Sequence, residues 1–322
     1  MNVLRLLFAL LFALLLALPI PALAQYPARA VHVVVPFPAG GPTDILTRAL
    51  GQKLSERWGQ PVVVDNKPGA GGAIGSEFVA KAPADGYTLL MATSSTHSIG
   101  PALQKLPYDP QRDFAPISQV SNATNVLVVS PKLGVSSVKE LIALAKANPG
   151  KLNFASSGIG TIPHLTGELF KLKAGVDIQH VPYKGTGLSI PDLANGQVAM
   201  LFDSIVTALN YVKSGNVRAL AISSPRRTPL APDLPTMAES GLPGFESETW
   251  FGLFGPAATP KDVVARVSAD TAAALKAPDL RERFAAVGAE PVGSTPEQFA
   301  ERVRADTARW AEIIKAAGIK VQ

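Results

Sequence analysis

Nine short runs rich in β-branched and apolar residues, separated by stretches with helical spacing, recur along this chain. That alternation restricts the fold more than any other feature of the sequence. The runs fall at 31–36 (VHVVVP), 61–65 (PVVVD), 87–92 (YTLLMA), 125–130 (NVLVVS), 152–155 (LNFA), 178–182 (IQHVP), 197–202 (QVAMLF), 217–222 (VRALAI) and 250–254 (WFGLF). Helical spacing occupies 43–58, where Ile45, Leu46, Ala49, Leu50, Leu54 and Trp58 form an apolar face, and then 137–147, 161–173, 186–195 and 204–213. Ser137 and Glu140 have the spacing of a capping box. Runs without polar alternation, each followed by a helix, predict parallel sheet covered on both faces. From Thr259 the pattern becomes almost wholly helical. Two segments there open on Thr-Pro, at 259 and 295, which predicts a threonine cap with proline in the first turn. Phe299, Val303, Trp310 and Ile314 share one side of the second, and Gly318 ends it.

The first residues read as a secretory leader. Arg5 supplies the positive end, Leu6 to Leu18 is unbroken apolar sequence, and Ala22-Leu23-Ala24 is a small-residue cleavage site. A membrane anchor is the alternative, but the run is shorter than the ~20 residues a span needs. Cleavage after Ala24 takes 24 residues from 322 and leaves 298, more than one typical domain and enough for two lobes. No flexible linker separates them, so the chain is expected to cross between lobes in segments that act as a hinge, at 117–130 and 240–255. The expected division is 25–126 plus 249–322 for the first lobe and 127–248 for the second. The formal charge is +5, or +4 without Arg5, and the charges are scattered, which argues against nucleic acid. There is no cysteine, so an exported protein of this kind relies on its apolar core. Four histidines without paired spacing give no metal site, and no cofactor is expected.

Three segments carry candidate chemistry. In "VVVPFPAGGPTD", Val33 to Asp44, a strand turns through Gly40 and Gly41 into a helix. Such a turn leaves backbone N–H groups and the positive end of the helix dipole facing outward, a geometry suited to an anion. Thr43 adds a hydroxyl, and Asp44 is placed to cap. An ordinary strand-to-helix turn explains the glycines equally well. "NFASSGIGTIPHL", Asn153 to Leu165, repeats the grammar with Ser156, Ser157, Gly158, Gly160 and Thr161, and it falls in the other lobe. "ATSSTHSIG" carries Ser94, Ser95, Thr96 and His97 after a third strand. Strand ends of two α/β lobes face one cleft. Each hydroxyl is also a routine helix cap. Asp203 ends the run QVAMLF, where it either caps the next helix or accepts a hydrogen bond from a ligand. His164 sits in a first helical turn, within reach of backbone or ligand.

Two catalytic readings compete. A hydrolase would use His164 or His97 with a nearby serine, although no G-x-S-x-G elbow occurs. "DNKPGAGGAIGS", Asp65 to Ser76, approaches a dinucleotide fingerprint, but no acidic residue closes the following strand.

The segments PFPAGGPTD, DNKPGAGGAIG, ADGYTLLMA, YDPQRDFAPI, SSGIGTIPHLTGELF, HVPYKGTG, RALAIS and WFGLFGPAATP occur in that order. Together they closely resemble the Bug family of periplasmic solute-binding receptors associated with tripartite tricarboxylate transporters, across residues 25–322. The resemblance implies a two-lobed α/β Venus-flytrap fold (periplasmic binding protein, type II-like) with a hinge and a helical C-terminal tail. It implies a monomer in the periplasm that takes a small organic carboxylate for delivery to transporter membrane subunits or for sensing, without catalysis. It makes Ala39, Gly40, Gly41, Thr43 and Asp44 one half of a pincer on the ligand carboxylate, acting partly through ordered waters, with Pro42 contributing no N–H. The other half is Ser156, Ser157, Gly158 and Thr161, with Ser94, Ser95 and Thr96 a looser match. Asp203 matches a position facing the distal part of the ligand.

Overall fold

The β-branched runs form the centre of a ten-stranded sheet because alternate residues of each can be buried on opposite faces. The computed structural model describes residues 26–103, 105–316 and 318–319, so the leader lies outside the described residues. In the first half, β1 (Val31–Val35) lies between β2 (Val62–Asn66) and β3 (Thr88–Thr93), parallel to both. Val31, Val33, Val35, Leu89 and Met91 pack on one side with Leu46, Leu50 and Leu54 of α1 (Pro42–Trp58). Val34, Leu90 and Ala92 pack on the other side. α2 (Ala73–Ala80) and α3 (Gly100–Leu103) complete the early part of this lobe, the latter after a wide π-type turn at Ser95–Ile99.

The longest strand, β4 (Phe114–Val129), belongs to both halves. Residues 114–124 pair antiparallel with β9 (Glu248–Pro256). Residues 125–129 pair antiparallel with β7 (Met200–Ser204), and 126–129 also with β8 (Arg218–Ile222). The second half continues through β5 (Asn153–Ser156), parallel to β7, and β6 (Gln179–Pro182), parallel to β5. Its helices are α4 (Val138–Ala147), α5 (Ile162–Ala174), α6 (Ile190–Asn195) and α7 (Ile205–Lys213). The strand order is β2-β1-β3-β9-β4-β7-β5-β6, a two-lobed α/β arrangement threaded on one strand.

The sheets are therefore mixed, and the parallel expectation holds for β1–β3 and β5–β7 only. The strands that return between lobes run antiparallel because no helical crossover joins β4 to its neighbours. The tail is almost wholly helical, as expected, with one short strand in addition. Between α8 (Lys261–Lys276) with α9 (Pro278–Ala286) and α10 (Pro296–Ala316), residues Ala289–Pro291 form β10, paired antiparallel to β4. Three residues are too few for a period of two to show. Thr295 does cap α10, accepting from the Gln298 N–H at 3.3 Å. Thr259 does not cap α8; its hydroxyl donates to the Pro256 carbonyl at 2.7 Å. Ser137 accepts from the Glu140 N–H at 3.2 Å, but Glu140 reaches back to Ser136.

α10 spans the two halves. Phe299 and Val303 pack on the first lobe beside Trp250 and Phe254, whereas Trp310 and Ile314 pack with Ile162 and Leu165 of α5. Phe299 requires a bare backbone beneath it: a Cβ placed on Gly252 would lie 2.1 Å from its ring. Gly252→Ala is expected to destabilise the fold by about 1–3 kcal/mol, the range for overpacking a filled core. A lowered denaturant midpoint with unchanged slope checks it.

Candidate functional site

The carboxyl ends of β1, β3, β5, β6 and β7 converge on a cavity of about 320 Å³ between the two halves. From the first half come the loop Phe37 to Thr43, then Thr93 and Ser95 at the end of β3. Asn125 of β4 and Thr249 and Phe251 of β9 form the floor where the chain crosses. The second half contributes Ser157 after β5, Ile162 and Pro163 opening α5, and Gly185 to Leu188 after β6. Asp203 and Ser204 at the end of β7, with Thr207 and Tyr211 of α7, close it. Among the described residues that line it there is no Lys, Arg or His.

The first loop is braced from behind. Asp44 is buried; its carboxylate accepts the Gly40 N–H at 2.9 Å, pairs with Arg48 at 2.9 Å and takes a hydrogen bond from Asn66 at 3.0 Å. Burial works against that charge, but Arg48, the Gly40 N–H and Asn66 outweigh it and hold the carboxyl below its usual range. Asp44 is thus a brace and does not reach the cavity wall. Ala39, Gly40, Gly41 and Thr43 do. The N–H groups of Thr43 and Asp44, in the first turn of α1, have no acceptor among the described residues. They add to the positive end of a 17-residue helix.

The second loop is braced in the same manner. The Ser156 hydroxyl accepts the Gly158 N–H at 3.0 Å and lies 2.6 Å from His180 Nε2. Thr161 donates to the Gly158 carbonyl at 2.7 Å, and the Gly160 N–H donates to His164 Nδ1 at 3.3 Å. His164 stacks on His180 with ring centroids 4.1 Å apart. Burial, then the neighbouring His180 and Lys171, push His164 down to about 3, and burial with Lys171 pushes His180 to about 4. Both rings are neutral at pH 7. Ser156, Gly158, Thr161 and His164 therefore shape the loop without lining the cavity, and only Ser157 of the set is on its wall.

In the third segment Ser95 lines the cavity and accepts the Ile162 N–H at 2.9 Å, a bond across the cleft to the start of α5. Thr96 turns inward, bonded to the Thr93 carbonyl and to His97 Nδ1. His97 is fully buried against Phe254, and burial lowers it to about 3. Ser94 is off the wall with its buried hydroxyl unpartnered, as are the hydroxyls of Thr93 and Ser204, which are on the wall. Unmatched buried hydroxyls beside a cavity are sites at which a ligand or water completes the hydrogen bonding.

Asp203 is 1% exposed and faces the cavity. Burial pushes its carboxyl up to about 6, against hydrogen bonds from Thr186, Thr207 and the Ser204 N–H. The Thr207 hydroxyl donates at 2.7 Å. Ser204, not Asp203, is the residue that precedes α7.

Residue reasoning did not single out Phe37, Thr93, Asn125, Thr186, Ser204, Thr207, Tyr211, Thr249 or Phe251. Thr207 and Tyr211, four and eight residues beyond Asp203, share one face of the helix that follows it, and that spacing was the available signal. HVPYKGTG points to the right turn, but its wall residues begin at Gly185, beyond Tyr183 and Lys184. Neither catalytic reading finds its geometry. Ser156 pairs with His180, both away from the wall, and His97 is enclosed by aromatic rings. The glycines of 65–76 serve packing: a Cβ on Gly75 would lie 2.8 Å from the Pro36 backbone, and one on Gly72 2.5 Å from Thr96.

A family model described as "Tripartite tricarboxylate transporter family receptor" matches residues 46–319. Protein BugT of Bordetella pertussis is 40% identical over the whole of both chains. The structure of R. palustris Rpa4515 with adipate is 38% identical, covers 92% of this chain and 99% of its own, and superposes with a TM-score of 0.90. That of the periplasmic binding protein BugD is 39% identical, covers 92% of this chain and all of its own, with a TM-score of 0.88. The shared lengths leave no part of the two-lobed architecture unaccounted for, and the chain belongs to the tripartite tricarboxylate transporter receptor family, among the Bug proteins, as a solute-binding receptor and not an enzyme.

Proposed function

We propose that the cavity captures a small organic carboxylate, gripped between the two lobes. The observation that carries this reading is a wall of hydroxyls from both lobes, two of them unmatched, beside the first-turn N–H groups of α1 and without a cationic side chain among the described residues that line it. Backbone dipoles replace the hydration of an anion in such a site without the desolvation of a lysine or arginine. The relative Rpa4515, solved with adipate, supports the ligand class. Gly40, Gly41, Thr43 and Ser95 form one jaw, with Ser157 opposite, while Asp44, Ser156, Gly158, Thr161 and His164 hold the jaws in shape. Asp203 meets the far end of the ligand.

The division of lobes at 25–126 with 249–322 and at 127–248 places the crossing near Thr124 and Asn125, where β4 changes partners. Ligand contacts to both lobes favour their approach. The receptor works as a periplasmic monomer after cleavage behind Ala24, presenting its ligand to transporter membrane subunits. No helix among the described residues is long and apolar enough to cross a membrane.

Gly41 has φ −78°, open to any residue, and a Cβ there would lie 3.3 Å from the Pro38 carbonyl oxygen. Gly41→Val is expected to weaken carboxylate binding at least about tenfold, the worth of one charge-assisted hydrogen bond, with the free protein's melting point nearly unchanged. Isothermal titration beside a melting curve checks it; unaltered affinity counts against the jaw. A panel of mono-, di- and tricarboxylates, aromatic acids and amino acids is expected to contain members that raise the melting temperature by several degrees, since saturation at a hundredfold over Kd adds about 2.7 kcal/mol. A shift by neutral compounds alone overturns the reading.

A further inference from the structure

Asp203 is a carboxylate inside a cleft that holds a carboxylate. It is almost wholly buried, and among the described residues no cation lines the cavity to offset it. The Thr207 hydroxyl donates to it at 2.7 Å, and Thr186 and the Ser204 backbone lie close enough to oppose the effect of burial on its charge. An ionised carboxylate offers about four acceptor positions, so the Thr207 bond leaves room for a donor from the ligand. Tyr211 of α7 is the other titratable group on the wall; burial and the Asp203 charge raise its phenol, which stays a neutral donor. The adjoining strand β4 and the turn after β6 present Asn125, Gly185, Thr186 and Gly187 there, none of which titrates. A second ionised ligand carboxylate would therefore meet a like charge at a buried group, without a lining cation among the described residues to offset the repulsion.

We propose that Asp203 sets the specificity of the far end of the ligand: the captured acid turns a hydrogen-bond donor toward it, an ammonium, amide, hydroxyl or un-ionised carboxyl. A diacid accordingly enters with one carboxylate in the jaws and a single proton shared between its other carboxyl and Asp203. This rests on the carboxylate reading above and adds which carboxylates the cleft prefers. Phe37, Ile162, Leu188 and Phe251 on the same wall suit an apolar body between the two ends. Burial raises Asp203 to about 6, so the proton is easily supplied below that pH and scarce above it.

The test uses matched series of four to six carbons, each a dicarboxylate, its monoamide and the corresponding ω-amino acid, titrated calorimetrically into the full protein at pH 7.5 and 5.5. At pH 7.5 the monoamide or amino acid is expected to bind at least about tenfold tighter than the dicarboxylate, as befits a buried like-charge contact. Moving to pH 5.5 is expected to tighten the dicarboxylate at least about tenfold and the monoamide little, because only the former takes up a proton on binding. Asp203→Asn, which keeps shape and removes charge, is expected to bring the dicarboxylate level with its monoamide at pH 7.5. A wild-type protein that binds dicarboxylates as well as their monoamides at pH 7.5, without gain at 5.5, overturns the proposal and leaves the carboxylate reading standing. Binding of neutral diamides with no acid bound overturns both. Should Asp203→Asn melt early, the two-pH comparison on the wild type decides alone.

Discussion

One strand holds this molecule together and creates its site. β4 is hydrogen-bonded to β9 along residues 114–124 and to β7 and β8 from there to Val129, so a single backbone is an internal strand of both half-sheets. Its neighbours are ordered so that the carboxyl ends of the parallel strands on each side face one another across it. The helices α1, α5 and α7 that follow β1, β5 and β7 begin at the same place, and the unpaired first-turn N–H groups of α1 lie beside the cavity. Anion affinity is thus a consequence of topology before any side chain is chosen. Polar residues at the crossing keep it in register: Asn125 of β4 donates to the carbonyl of Ser247, which precedes β9, at 3.1 Å, and the hydroxyl of Ser223, which follows β8, bonds that same carbonyl.

A cation would bind an anion more strongly in isolation, yet burying a lysine or arginine in an unliganded cleft costs several kcal/mol. Dipoles fixed by the fold carry no such penalty when the site is empty, and they need no rearrangement when it fills. The same economy explains why the loops are braced by charges and hydroxyls placed behind them. Asp44 and Ser156 sit in the expected ligand loops, and in the structure each fixes the loop that presents its neighbours. Removing either would act on the cavity through geometry.

The central strands and the long helices were legible because their signal is burial, and burial leaves a period in the sequence. Val31, Val33 and Val35 against Val34 show why β1 has no polar alternation: both of its faces are covered. What escaped was decided by tertiary pairing. β10 exists because β4 offers a free edge over Ser121–Ala123, and three residues cannot announce that. β4 itself showed only its second half, since Pro116, Ser118, Gln119 and Ser121 interrupt the apolar run, although Ser118 and Ser121 are buried. In the site, the segments were recognisable but the facing was not: which of Ser94, Ser95 and Thr96 meets the cavity depends on the wide turn after β3, whose hydrogen bonds no pattern of residue types encodes.

That turn also shows how the lobes can come so near. A Cβ on Gly158 would lie 3.4 Å from the Gly71 backbone, and one on Gly185 2.9 Å from Pro38, so main chain meets main chain or ring on either flank of the cavity. Between those contacts, the Ile162 N–H of one lobe reaches the Ser95 hydroxyl of the other. Side chains at these glycines would hold the jaws apart and admit water to the donors, weakening each of them in the higher dielectric. The glycine-rich stretch at 65–76, which in sequence imitates a nucleotide loop, thereby acquires a different physical purpose: Gly71 is the surface on which the second lobe comes to rest. The absence of side chains there lets the two lobes close tightly around the donors, and a low local dielectric strengthens the hold of uncharged donors on a charged guest.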